Sequence, residues 1–172
     1  MAHEMTPFTI RLARTDDWDQ MFAIFQAVVS TGTTYVFAPD TTSDDARDYW
    51  FTAGTDTWVA DDDGRILGMY RLTANRRDLG SHVSNASFMV DPHAQGRRVG
   101  ETLGRHCLQE AKRAGFVAMQ FNFVVSTNAA GVGLWRKLGF DIVGTLPKAF
   151  QHREHGLVDA YVMYRFLDDI NL

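Results

Sequence analysis

Hydrophobic and polar positions alternate with two periods along this chain, and the changes of period mark its elements. Residues 8–13 (FTIRLA) alternate in strand fashion; Thr15-Asp16-Asp17 then offers an N-cap before the apolar positions Met21, Phe22, Ile24, Phe25 and Val28, which predicts a strand leading into a helix. Segment 30–41 (STGTTYVFAPDT) reads as a loop, and Thr42-Ser43-Asp44-Asp45 opens a short helix carrying Tyr49 and Trp50. The stretch DTWVADDDGRILGMYRLT places two strands around an Asp63-Gly64 turn, because both turn residues accept positive φ. A third strand, roughly 82–91, follows a polar loop. From 99 to 114, Val99, Leu103, Cys107, Leu108 and Ala111 share one helical stripe, and Gly115 supplies the stop. In 117–125 (VAMQFNFVV), Val117, Met119, Phe121 and Phe123 fall on one side, and Ala118, Gln120, Asn122 and Val124 on the other. Asn128 caps a helix to about Leu138, Gly139 ends it, and 140–145 and 158–167 read as two final strands.

The order is mixed α/β, with consecutive strands first and a helix crossover between 82–91 and 117–125. Right-handed crossover makes those two strands parallel. A length of 172 residues with 45% hydrophobic and 22% charged positions fits one domain, 1–172, and excludes a disordered chain or a fibre. The 17 Lys and Arg against 21 Asp and Glu leave a net charge of -4, which argues against a nucleic-acid surface. Cys107 stands alone, so no internal disulfide forms, and no apolar run approaches the ~20 residues of a membrane span. The start, MAHEMTPFTIRL, has no signal-peptide h-region, and a cytoplasmic address without a membrane partner is expected.

The stretch VDPHAQGRRVGETLG, at 90–104, carries chemistry. A strand ends, a Gly-punctuated loop turns, and a helix begins. Helix N-termini present unpaired N–H groups and partial positive charge, and Gly96 and Gly100 let a ligand approach the backbone, so a pyrophosphate fits. Arg97 and Arg98 add charge. There is no GxxxxGK[ST], and no GxGxxG followed by an acidic residue ~20 positions on.

Gln95-Gly96-Arg97-Arg98-Val99-Gly100 resembles the acetyl-CoA motif Q/R-x-x-G-x-G/A of the GNAT N-acetyltransferases. Asn128, Leu134, Lys137, Gly139 and Phe140 are similar to that family's second motif, N-x-x-A-x-x-L-Y-x-K-x-G-F. The resemblance implies a mostly antiparallel mixed sheet with flanking helices, in which the parallel strands 82–91 and 117–125 splay apart around acetyl-CoA. It also implies direct acetyl transfer to an amine. Carried over residue by residue, it places the pyrophosphate on Gln95, Gly96, Arg97, Arg98, Val99, Gly100 and Thr102. Backbone N–H groups of Met89 and Val90 would face the thioester, and Asn128 and Lys137 would lie on the cofactor side. The wording GTTYVF…YW and FNFVVSTN…LWRKLGF resembles the branch containing phosphinothricin and proline-analogue acetyltransferases, which implies a small amino-acid-like substrate. A homodimer is part of the same resemblance. The rivals are transfer to a protein or peptide amine, against which an aromatic pocket of Tyr35, Phe37 and Phe150 would count, and acetyl-CoA binding without turnover.

Three positions depart from the motifs. Arg98 replaces a glycine, a change that leaves cofactor binding intact if that position has negative φ. Gly131 replaces alanine, a small loss of helix propensity. Trp135 replaces a tyrosine and is expected to pack rather than move protons, since an indole N–H is no useful acid. No carboxylate lies on either central strand; His82, His93, Asp91 and Asp159 read first as surface or strand-end groups. His152 and His155 lack a third ligand, so no metal is expected. Asn85 and Asn122 are unusual inside strands and are the candidate catalytic pair, their amides orienting substrate beside the acetyl carbon.

Overall fold

The computed structural model describes residues 8–172. The chain runs β1 (Thr9–Leu12), α1 (Trp18–Val29), α2 (Ser43–Trp50), β2 (Asp56–Asp62), β3 (Arg65–Ala74), β4 (Val83–Val90), α3 (Val99–Arg113), β5 (Ala118–Val125), α4 (Ala129–Lys137), β6 (Asp141–His152) and β7 (Gly156–Phe166). One seven-stranded sheet takes the order β1-β2-β3-β4-β5-β7-β6, and β4–β5 is its parallel pair. The Asp63-Gly64 turn is as expected, with φ of 48° and 91°, and Asp61 Oδ1 accepts the Gly64 N–H at 2.7 Å. Among the described residues no helix is long and apolar enough to cross a membrane.

Period-2 side chains give the sheet two apolar faces. On one, the predicted α3 stripe of Val99, Leu103, Cys107, Leu108 and Ala111 packs on Tyr70, Leu72, Ala86, Met119 and Phe121. On the other, Met21, Ile24 and Phe25 of α1 and Trp50 of α2 pack on Val59, Met69 and Met89. Asp17 does not cap α1; its carboxylate takes a two-pronged contact from Arg11 at 2.7 and 2.8 Å and the Arg14 N–H at 2.7 Å, tying β1 to the helix start.

Three expectations are corrected. The final strands are longer than 140–145 and 158–167, forming a hairpin that turns at 153–155. Pro147 did not stop β6: this edge strand absorbs it in an irregularity between Leu146 and Phe150, where Lys148 has a φ of 52°. In β5 the simple alternation fails, because a bulge between Phe121 and Val124 returns Val124 to the core face of Phe121. Arg98 has a φ of 57°, left-handed and not negative, so the argininyl position keeps the conformation a glycine would supply.

Candidate active site

β4 and β5 are paired only at Val83↔Ala118 and Ser84↔Met119. The next link is a side chain: Asn85 Nδ2 donates to the Gln120 carbonyl at 2.9 Å. Beyond it the strands part, and a cleft of about 720 Å³ passes between them. Strand alternation decides what faces this gap. Val83 accepts from Asn75 N–H and Asp91 N–H donates to Leu67, so odd-numbered residues of β4 turn their backbone groups toward β3. Even-numbered residues, Phe88 and Val90 among them, turn theirs into the gap. The Met89 N–H therefore belongs to the β3 ladder, and its side chain is buried under α1; of the two expected thioester donors, Val90 alone offers its amide to the gap.

On the α3–α4 side the cleft is bordered by Val90, Gln95, Gly100, Asn128, Leu134 and Trp135. Gly96, with a φ of 81°, and Arg98 bend the loop so that α3 starts without a side-chain cap. The first helical bond is Thr102 N–H to the Arg98 carbonyl at 3.0 Å, which leaves the Val99, Gly100 and Glu101 amides without intrahelical acceptors. Thr102 Oγ1 donates to the same carbonyl at 3.0 Å and so locks the turn. A Cβ on Gly100 would lie 3.5 Å from Leu134 Cδ2, an ordinary contact.

The expected cationic side chains point elsewhere. Arg97 donates to Asp62 at 2.7 Å, and Arg98, Arg105 and Lys137 converge on Glu101 at 3.1, 2.9 and 2.8 Å. Lys137 and Arg105, with Arg98, hold the Glu101 carboxyl down to about 2. Of residues 95–102, Gln95 and Gly100 border the cleft, and none of those guanidinium groups does. Asn128 Oδ1 accepts the Gly131 N–H at 3.1 Å, capping α4. Gly131 matters more than helix propensity suggested: a Cβ there would meet Asn128 Nδ2 at 2.5 Å. Trp135 packs as expected, its ring 4.8 Å from Phe88 and 4.7 Å from Phe121.

The α1–α2 side is bordered by the loop after α1 and by Tyr49, Asn85 and Ser87. Tyr35 inserts its hydroxyl at Phe88, accepting the N–H at 3.0 Å and donating to the carbonyl. Burial pushes this phenol well above the ordinary tyrosine value, so it remains a donor at neutral pH. Tyr49 Oη shares a 2.6 Å hydrogen bond with Ser87, and Phe37 packs edge-on to Tyr49 at 5.0 Å. Phe150 is not at the cleft wall; it is buried against Phe123. Asn122 borders the cleft beside Asn85, in an amide row: Gln120 Nε2 donates to Asn122 Oδ1 at 2.8 Å, and Asn122 Nδ2 donates to Asn75 Oδ1 at 2.7 Å. Gln120, Asn75, Tyr49 and Ser87 were not singled out from sequence. Ser87 and Gln120 could have been found, since period 2 puts them on the faces of Asn85 and Asn122; the roles of Asn75 and Tyr49 depend on long-range contacts.

Asp91 is the one carboxylate among the described residues bordering the cleft. Burial would raise it, but the His93 N–H and the Arg65 guanidinium outweigh that and hold it below the ordinary range. Asp159 accepts the Lys148 N–H at 2.9 Å, supporting the β6 irregularity. His93 is exposed, and His152 Nδ1 accepts the Glu154 and His155 amides at 3.1 and 3.2 Å, holding the hairpin turn. Cys107 is buried in the α3 core, and desolvation pushes its thiol up, away from nucleophile chemistry.

A sequence profile described as the Acetyltransferase (GNAT) family matches residues 18–140. A solved GCN5-related N-acetyltransferase from Kribbella flavida is 43% identical with a TM-score of 0.88, covering 92% of this chain and 97% of that one. The phosphinothricin N-acetyltransferase of Alcaligenes faecalis is 30% identical over 164 residues, 93% of this chain and 83% of that protein. The L-amino acid N-acetyltransferase AaaT of Escherichia coli is 31% identical over 107 residues, 62% of this chain and 65% of that protein, so the match spans just under two thirds of AaaT.

Proposed function

The chain belongs to the acetyltransferase (GNAT) family, and from that premise we propose that it transfers the acetyl group of acetyl-CoA directly to the amine of a small, amino-acid-like acceptor. The observation that carries this reading is the gap between β4 and β5, which joins a donor-rich helix start on one side of the sheet to a pocket walled by Tyr35, Phe37 and Tyr49 on the other. The residues present fit acetyl-CoA. An extended arm laid in the gap can take the strand position β5 vacates, pairing with the unladdered backbone groups of Val90. The amides of Val99 and Gly100, with those of Gly96 and Arg97 in the preceding loop, suit the pyrophosphate. Asn128 lies on this side as the cap that aims α4.

The Val90 N–H is the group we assign to the thioester carbonyl, where it stabilises the oxyanion that develops as nitrogen attacks. The C–N bond forms and the C–S bond breaks; the nitrogen gives up a proton to solvent, and the CoA thiolate leaves and takes up a proton from solvent. No covalent enzyme intermediate is involved, in keeping with the burial of Cys107. Asn85 and Asn122 orient this chemistry: both border the cleft, and Asn85 sets where the strands begin to part. The acceptor class is supported by two relatives named for amino-acid and phosphinothricin acetylation and by the aromatic closure of the pocket, which suits a small molecule better than an extended peptide.

Thiol release from acetyl-CoA, screened against free amino acids, phosphinothricin, polyamines and an amine-bearing peptide, tests the proposal. Turnover concentrated among amino-acid-like amines is expected. Turnover on the peptide alone would move the acceptor class to protein amines, and binding of acetyl-CoA with no turnover on any amine would remove the enzyme reading.

A further inference from the structure

The gap is closed at one end, and Tyr35 stands at that closure. An acyl arm entering from the α3 end runs along β4 past Val90 and then meets the phenol of Tyr35 at Phe88. Immediately behind lies the Asn85–Gln120 bridge at 2.9 Å, after which β4 and β5 are paired. The phenol is held from several sides. Its hydroxyl satisfies both gap-facing backbone groups of Phe88, which no strand partners there, so displacing it would orphan an N–H and a C=O together. Phe37 stacks on its ring at 6.3 Å, and Phe37 in turn packs against Phe25 at 5.1 Å and Tyr49 at 5.0 Å. The loop carrying Tyr35 is fastened at its base, where Arg153 donates its N–H to the Gly32 carbonyl at 3.0 Å and a guanidinium N–H to the Ser30 carbonyl at 3.2 Å.

We propose that Tyr35 is the stop that sets acyl-chain length: with the thioester carbonyl at Val90, an acetyl methyl ends before the phenol, and longer chains run into it. This specificity role rests on the acetyl-CoA reading of the same cleft. Its basis is steric. Removing the ring should admit longer chains, whereas removing only the hydroxyl should not.

The test is calorimetric titration of the wild type, Tyr35→Ala and Tyr35→Phe with acetyl-CoA, butyryl-CoA and free CoA, each protein first shown folded by its melting transition. A methylene mismatch in an apolar site is worth roughly 10–200-fold, so wild-type protein should bind butyryl-CoA at least about tenfold more weakly than acetyl-CoA. Tyr35→Ala should bring the two affinities within about threefold, and Tyr35→Phe should keep the wild-type discrimination. Equal binding of both thioesters by wild-type protein overturns the proposal without need of any variant. So does a discrimination that survives in folded Tyr35→Ala. If neither thioester nor CoA binds, the acetyl-CoA reading falls and this inference with it, an outcome distinct from binding without chain-length discrimination.

Discussion

Asn85→Ala cuts the last link before the gap, and its two effects can be separated. The Asn85 amide donates to the Gln120 carbonyl at 2.9 Å in half-buried surroundings. Removing it leaves that carbonyl short of a donor, at a stability cost of ~1–2 kcal/mol. At roughly 2–4 °C per kcal/mol for a chain of this size, Tm should fall by about 2–8 °C. The second effect is positional: β5 is released where the strands diverge, so the acceptor side of the gap widens and the amine loses its alignment with the acyl carbon. A loss of ~2–3 kcal/mol of transition-state stabilisation corresponds to roughly 30–150-fold in kcat/KM at 1.36 kcal/mol per decade. Acetyl-CoA affinity should change little, because the amides at Val99 and Gly100 are untouched. Ser84→Ala is the matched control, since Ser84 Oγ makes a similar bond to the Ala118 carbonyl at 3.1 Å within the paired part of the strands. It should lower Tm by a comparable amount and leave kcat/KM within about threefold. Steady-state thiol release, calorimetry and thermal melts on both variants decide the matter. If Asn85→Ala loses stability but keeps wild-type kcat/KM, the orienting role of Asn85 is refuted.

Trp135→Phe should keep kcat/KM within about tenfold, because the indole packs between Phe88 and Phe121; a loss in the 10²–10⁴-fold range of acid–base groups, measured by thiol release, would contradict this. Gly131→Ala should lower Tm despite alanine's better helix propensity, since its Cβ would displace the Asn128 cap at a cost of ~1 kcal/mol; a rise in Tm would refute the cap argument. Asp17 is held below the ordinary carboxylate range, chiefly by its hydrogen bonds to Arg11, so its contribution to stability is complete above about pH 4 and is lost as pH falls through its folded-state value. Denaturant melts between pH 7 and 3 should show that loss, and Asp17→Asn should flatten it; identical acid slopes in both proteins would be the contrary result.

What sequence made legible followed from local rules. The α3 stripe, the Asp63-Gly64 turn, the Asn128 cap and the donor-rich start of α3 each depend on spacing over a few residues, and each is observed. The family resemblance carried by two spaced motifs also implied the parting of β4 and β5. The features that escaped depend on contacts distant in the chain or on backbone choices a side chain does not announce. Arg98 takes a left-handed φ because the turn into α3 demands it. Pro147 passes inside a strand because β6 is an edge. The bulge in β5 redirects Val124, and no alternation pattern reports a bulge. Tyr35 was legible as an aromatic wall, but its hold on Phe88 joins residues 53 apart in sequence. Asn85 and Asn122 were flagged as polar residues inside strands; the partners that satisfy them, Gln120 and Asn75, were not.

The central claim is that the start of α3 and the gap beside β4 together hold acetyl-CoA, with the loop amides on its pyrophosphate and Val90 on its thioester. The most direct measurement is calorimetric titration of the wild-type protein with acetyl-CoA and, in parallel, with S-acetylpantetheine, which keeps the thioester arm and lacks the pyrophosphate. The account predicts one site for acetyl-CoA and an affinity at least about a hundredfold weaker for S-acetylpantetheine, about 2.8 kcal/mol at 1.4 kcal/mol per decade. No acetyl-CoA binding, or equal affinity for the two ligands, would contradict it.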